Sequence, residues 1–435
     1  MLSKSTIKNI FLGILLLSFR HVFAADLPSS SIQDDSFLRI AIKDAWLSGN
    51  PSNVLQNSPF VRNLPGGGSI QVRAEARNNE ISVILARDRN GSYPGWAQGS
   101  WIYTRNRSTG EPLRIRIFLR SDPQMYVQVR PLGTDKSMLD VVLYEAYIIR
   151  GLPIGIPFDR VLTMPVEETL SAAGDRFPRR YFDPDPRLYR NINDLVAKIR
   201  AALPPLVFAD DGAIDEKGEY VFIETLQKQG AYAGLNCSGF TKWVVDGMLK
   251  PVTGKRLDIA SLKAHVTPRT SSMEGIYDER DSLFGLDWTR NLALEAAKVL
   301  RSPGFATIEN IEIRDEVFSA LIDRRGGGAA IKNFPGFQIN TGYSIEGLRP
   351  LLYTLAINEP GNIYLVSVNR ERGSKPRQRQ HYHVAVLVPL INQYGNFQIF
   401  VFESAEETNF AGFISRHPGG MVNLVRIPVE GAFEP

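Results

Sequence analysis

The sequence predicts an α+β protein in which an all-β segment precedes a mixed segment that carries a candidate nucleophile. Three observations support this class. Between Ser69 and Leu162, short runs alternate apolar with polar residues and are separated by turn clusters, the period of half-buried strands. Beyond residue 206, helical periodicities are mixed with short apolar runs. The only cysteine lies in Tyr232-Ala-Gly-Leu-Asn-Cys237-Ser-Gly-Phe-Thr241, ahead of Phe240, Trp243, Val244 and Met248 at helical spacing. That spacing puts Cys237 near the first turn of a helix, where free N–H groups and the positive dipole end favour a thiolate. Pro251 is expected to end the helix.

The chain has 435 residues, enough for two or three domains with large cores. Hydrophobic residues at 43% and charged residues at 22% are ordinary for a globular protein. Residues 1–24 read as a secretory signal. Lys4 and Lys8 precede the short apolar run Ile10–Phe19, and Val22-Phe23-Ala24 offers a small-residue cleavage site after Ala24. The alternative is an uncleaved N-terminal anchor, but the run is short of the roughly 20 residues that span a bilayer. No later stretch reads as an integral membrane segment. Cleavage would remove Lys4, Lys8 and Arg20 and no acid, so the formal charge would fall from +4 to +1. Nucleic acid is therefore not an expected partner. A lone cysteine in an exported chain cannot form an internal disulfide, so it is either buried or used.

Residues 25–68 read as an N-terminal arm with one helix, Phe37–Leu47. The loop at 64–68 lacks the Lys-Ser/Thr that a phosphate-binding loop requires. Residues 69–162 read as an all-β domain, sandwich or barrel, with strands beginning at Ile70, Ile81, Leu113, Met125 and Val141. Arg114, Arg116 and Arg120 suggest a solvated face or a surface for an anionic polymer. Trp96 and Trp101 read as core or as sugar-stacking residues. Residues 163–205 read as a proline-punctuated linker ending in an amphipathic helix, Asn191–Leu203. Residues 206–435 hold Cys237 and four histidines. They include a long mixed stretch at about 250–358, with helices at Trp288–Leu300, Asp315–Asp323 and Ser344–Ile357 and a glycine loop at 326–328. Strands are expected at Asn362, His383 and Phe397, the first two joined by a basic loop at 370–380.

A thiol nucleophile needs an imidazole within hydrogen-bond reach and a group to orient that imidazole. His265 and His417 read as structural residues in surface turns. His381 and His383 begin one strand and share a face by the period-2 rule. Glu403 ends the next apolar strand, where a carboxylate can hold the second ring nitrogen; Glu406 and Glu407 read as solvent-facing. Metal sites need clustered ligands, and the dispersed histidines with one cysteine predict neither a metal nor an organic cofactor. Ser238 as a nucleophile would need a Gly-x-Ser-x-Gly elbow, which is missing around it.

Asn236-Cys237-Ser-Gly-Phe-Thr-Lys-Trp-Val244 resembles the nucleophile motif of NlpC-type papain-like cell-wall peptidases. Pro360-Gly-Asn362-Ile-Tyr-Leu365 and His383-Val-Ala-Val-Leu387 are similar to the two strands that follow it in that superfamily. The tail Gly395–Glu403 is similar to the related CHAP amidases, in which a strand-borne acid completes the site. The resemblance covers roughly residues 220–410 and is interrupted by the insertion at about 250–358. Asn236 and Asn362 stand where the family usually has acids, and Glu403 stands where it more often has His, Asn or Gln.

The resemblance implies a papain-like catalytic domain at 206–435, with Cys237 as nucleophile, His383 as base and Glu403 as orienting group. It places the backbone N–H of Cys237 in the oxyanion hole and Tyr232 in the lining of the site, with Ser238 as a further substrate-binding residue; His381 is the alternative base. The implied activity is a thiol-dependent hydrolase, exported to a periplasm or outside the cell, that cleaves an amide bond in peptidoglycan stem peptides. Two alternatives remain: a transglutaminase-like acyltransferase on the same residues, and a non-catalytic cell-wall-binding protein with a degraded site.

Overall fold

The computed structural model describes residues 26–435 except 33, 66, 270–280, 315–322, 326–330, 334–335 and 374–376. The expected signal segment, the helix expected at 315–323 (all but its last residue) and the glycine loop at 326–328 lie outside the described residues. The chain is α+β, built on two large antiparallel sheets.

Helix α1 (Ser36–Ala41) starts where the Asp35 carboxylate accepts the Leu38 N–H, and α2 (Pro51–Gln56) where Asn50 caps a proline at the first helical position. The helix expected at 37–47 is thus shorter, and its second half, Lys43–Leu47, is a wider π-type turn. Eight strands follow: β1 (Phe60–Asn63), β2 (Ser69–Arg77), β3 (Glu80–Arg87), β4 (Trp101–Asn106), β5 (Pro112–Ile117), β6 (Met125–Leu132), β7 (Lys136–Leu143) and β8 (Ala146–Ile154). They form one antiparallel meander in chain order, in which β1 and β8 do not pair. It is a single sheet rather than the expected sandwich or closed barrel. Alternate residues such as Val72, Val83, Ile115, Val127 and Val141 meet α1, α2, α3 (Phe158–Val161) and α4 (Val166–Ser171) in one core.

The run from Val141 to Ile149, expected as one strand, breaks at Tyr144 and Glu145. Both have positive φ, 49° and 66°, and turn the chain from β7 into β8. Neither residue type advertises such a turn, and Tyr144 is held there by burial against Tyr353 and Phe397. Trp101 is core, with the Arg39 guanidinium over its ring. The expected arginine face is mostly paired. Arg114 bonds Glu80, Arg116 lies over the Tyr126 ring, and Arg120 turns inward to the carbonyls of Phe182 and Gly395.

The stretch expected to link the halves is itself packed. Met164, Leu170, Phe177, Tyr181, Phe182 and Tyr189 are buried, followed by Ile192, Leu195 and Ile199 of α5 (Arg190–Ala202). A small hairpin, β9 (Gly212–Ile214) and β10 (Tyr220–Phe222), then leads to α6 (Cys237–Thr253). Pro251 does not end α6. It removes one N–H from the ladder, and the carbonyl of Gly247 accepts the Glu434 N–H at 2.7 Å instead. Phe433 covers Gly247 and meets Trp243 edge-on, and α6 ends at Gly254 with φ 71°.

Helices α7 (Ile259–Leu262), α8 (Phe284–Leu300) and α9 (Ile308–Ile311) follow, then the hairpin β11 (Asp323–Arg325) and β12 (Ile331–Asn333). Next come β13 (Tyr343–Ser344), α10 (Leu348–Asn358), β14 (Asn362–Arg372), β15 (Gln378–Ile391), β16 (Phe397–Glu403), β17 (Glu406–Asn409), α11 (Phe410–Arg416) and β18 (Met421–Pro428). The second sheet has the order β13-β18-β14-β15-β16-β17. One face meets α6 and α8 through Leu365, Val386, Val388 and Val425. The other meets α10 and α11 through Tyr364, Val366, Leu387 and Phe413. The basic stretch at 370–380 is mostly the extended β14–β15 hairpin.

Candidate functional site

The Asn236 side chain accepts the Gly239 N–H at 2.8 Å, so the residue before the thiol is the N-cap of α6. An amide caps as well as a carboxylate would and places no negative charge beside the thiol. Gly239 is required by space: a Cβ there would lie 2.0 Å from the Gly212 carbonyl of the β9 hairpin. Lys242 and Asp246, both buried on α6, form an ion pair at 2.6 Å, and Lys242 also donates to the Ile214 carbonyl. The hairpin therefore fixes the start of α6 from one side. Trp288 of α8, within the expected insertion, fixes it from another by donating its indole N–H to the Ser238 carbonyl at 2.9 Å.

Strand β15 carries both histidines, but they do not share a face. A bulge between Val368 and Asn369 of β14 sets His383 opposite Val368 and His381 opposite Asn369, leaving Tyr382 as the extra residue. His381 bonds the Ser367 hydroxyl and the Asn340 carbonyl, and burial pulls its pKa down to about 3. It is a neutral structural residue whose two ring nitrogens are taken by Ser367 and Asn340. His383 acts on the Cys237 thiol and lowers its pKa, and its Nε2 lies 2.6 Å from Glu403 Oε2. With Nε2 committed to Glu403, Nδ1 is the nitrogen left for the thiol. The structure thus brings Cys237, His383 and Glu403 together in the expected order.

The electrostatics of the three are coupled. Burial pushes the thiol up, but the hydrogen bond and charge of His383, the Val384 N–H and the Ser238 side chain outweigh it, and the thiol pKa falls below its ordinary value. The Val384 N–H is available because the β15–β16 ladder ends at Val386↔Phe402. Burial pulls His383 down, but bonds to Cys237 and Glu403 raise it to about 9. Burial pushes Glu403 up; His383, Thr408 and Arg416 more than offset this and hold it ionised. Its Oε1 accepts from Thr408 at 2.5 Å and from Arg416. Both shifts favour movement of the thiol proton toward the imidazole. At the helix end, Gly239 N–H serves the cap and Phe240 N–H the Asn236 carbonyl. The N–H groups of Cys237 and Ser238 have no partner among the described residues.

Ser238 is buried and acts on the thiol through its side chain. Tyr232 is 93% exposed in the turn before α6, so the structure gives it no buried place in the lining of the site.

His417 is not in the surface turn expected of it. The residue is 9% exposed, its ring lies over His383 with centroids 5.3 Å apart, and its Nδ1 is 2.9 Å from the Tyr382 hydroxyl. Burial and the charge of His383 lower its pKa to about 4. Asn409 followed by Phe410, Phe413 and Ile414 is a capped helical pattern that would have placed Arg416 and His417 in its last turn. Ligand atoms of His383, Glu403 and His417 lie within 4.8 Å of one another, so potential metal ligands scattered in sequence are clustered in space.

Residues 28–181 match a family model described as Domain of unknown function (DUF8515). The match takes in α1 and the whole eight-stranded sheet and includes none of Cys237, His383 and Glu403. No curated protein and no solved structure matches the chain. Among the described residues, no helix is long and apolar enough to cross a membrane.

Proposed function

We propose that this protein is an exported thiol hydrolase with a papain-like catalytic segment, cleaving an amide bond in peptidoglycan stem peptides. The observation that carries the reading is the connected line Cys237–His383–Glu403, in which the thiol pKa is lowered and the imidazole pKa raised. A thiol-bearing helix packed on an antiparallel sheet whose strand supplies the base supports the papain-like assignment. The pattern of residues 1–24 supports export, and the motif around Cys237 supports the peptidoglycan substrate.

In this mechanism the Cys237 thiolate attacks the carbonyl carbon, forming a C–S bond and a tetrahedral oxyanion. The N–H groups of Cys237 and Ser238 receive that charge, and a single such donor is worth about 10²–10³ in rate. The His383 imidazolium gives its proton to the leaving nitrogen as the C–N bond breaks. Neutral His383 then takes a proton from water, which attacks the thioester and releases the acid and the thiol. Glu403 holds the ring throughout.

The test is muropeptide release from purified peptidoglycan by the full chain and by Cys237→Ala. Release by the wild type and at least a thousandfold loss in the variant are expected. Equal release by both proteins refutes the thiol mechanism. Incorporation of an added amine acceptor into product in place of water would instead make the protein an acyltransferase.

A further inference from the structure

We propose that His383, Glu403 and His417 also form a binding site for a borderline divalent cation, zinc foremost, and that its occupancy switches the thiol hydrolase off. Two imidazoles and a carboxylate are a common zinc ligand set. The three residues present ligand atoms within 4.8 Å of one another, so modest contraction brings them to one centre. The His383 and His417 ring centroids are 5.3 Å apart. Two imidazoles on one tetrahedral zinc, with Zn–N of about 2.0–2.1 Å, place their centroids at about the same separation.

The second observation is His417 Nε2. It is buried and has no hydrogen-bond partner among the described residues, a costly condition for a polar atom that a metal ion would relieve. Its Nδ1 is already engaged by the Tyr382 hydroxyl, the outer-shell bond that typically orients a metal-binding histidine and leaves Nε2 to ligate. Glu403 is arranged similarly. Oε1 is held by Thr408 and Arg416, while Oε2 faces His383 and is the oxygen free to change partners. Arg416 opposes the cation, but its side chain is 46% exposed and can move into solvent.

Binding would draw Nε2 of His383 from Glu403 to the metal. The metal displaces the Nε2 proton and takes the ring from the Glu403 bond that orients it, so Nδ1 and its proton are no longer held in line with the thiol and acylation stops. The binding part stands on geometry alone; the switching part rests on the hydrolase reading above.

The experiment is calorimetric titration of the metal-stripped full chain with Zn²⁺ alone, paired with the visible spectrum on adding Co²⁺. One equivalent bound and the intense d–d bands of four- or five-coordinate Co²⁺ are expected. His417→Phe keeps an aromatic ring between Phe413 and His383 and should weaken Zn²⁺ binding at least ~10-fold. His417→Gln is the second variant if the first fails to fold by circular dichroism. Cys237→Ala should bind as the wild type does. No binding by the wild type, unchanged affinity in the folded His417 variant, or loss of binding in Cys237→Ala each overturns the site. Zinc bound through His417 by a protein that shows no hydrolysis without metal upholds the site and defeats the hydrolase reading. Hydrolysis that persists at saturating zinc overturns the switch.

Discussion

Cys237 is half-buried, and burial alone would make its thiol less reactive than a free cysteine; its neighbours reverse that sign. The consequence is measurable as a pH profile. With metal removed, iodoacetamide alkylation of Cys237 should rise less steeply from pH 7 to 8.5 than that of an unperturbed thiol of pKa about 8.5, which gains about fifteenfold over that span. His383 is raised, so its proton is retained through neutrality and lost as the pH rises through about 9. Hydrolysis should therefore fall above that pH while alkylation does not. Alkylation that follows the ordinary thiol curve would show that the ion pair does not form. Cys237, His383 and Glu403 were legible in the sequence because each is chemically distinctive: one cysteine, few histidines, and an acid ending an apolar strand. His417 was not, because adjacent glycine and proline describe the local backbone and say nothing of what lies above it. Asn236 was legible as a departure from a motif, but its role as a cap is a matter of geometry.

Single-residue irregularities decide where the elements aim their side chains. Period-2 reasoning put His381 and His383 on one face; the bulge at Tyr382 separates them and leaves only His383 toward the thiol. The same reasoning joined β7 to β8 because Tyr144 and Glu145 carry no turn signature. The helix holding the nucleophile depends on a pair that the sequence shows only as an i,i+4 Lys and Asp. Lys242→Met would leave the Asp246 carboxylate buried without its cation and should cost about 3–5 kcal/mol in urea unfolding. A loss below about 1 kcal/mol would mean that Asp246 finds another partner within the fold.

The two sheets share one core. Tyr353 of α10 packs edge-on to Tyr144 of the first sheet and Phe397 of the second, and donates its hydroxyl to the Tyr181 carbonyl in the stretch between. Tyr189 donates to the Ala356 carbonyl at 2.7 Å, and Arg120 reaches Gly395. Coupling of this kind predicts one unfolding transition, with tryptophan fluorescence and far-ultraviolet circular dichroism coincident. Tyr353→Ala should lower the stability of that single transition by about 3–5 kcal/mol. Two resolved transitions in the wild type would contradict a shared core. The α+β class was legible from periodicity. The packing of residues 163–205 was not, because prolines report an extended backbone equally well in solvent or against a core. The central place of α8 was likewise hidden: a long gap between motif fragments reads as an insertion until Trp288 is seen bonded to Ser238.

The bond from Glu434 to Gly247 also has a consequence in time. A chain made from its N-terminus completes α6 long before the donor that stands in for Pro251 exists. During synthesis, and during any translocation that follows it, the nucleophile helix has an open carbonyl and an uncovered Trp243. It reaches its final bonding only when the segment around Phe433 arrives, so the candidate site matures late, after both sheets have their strands.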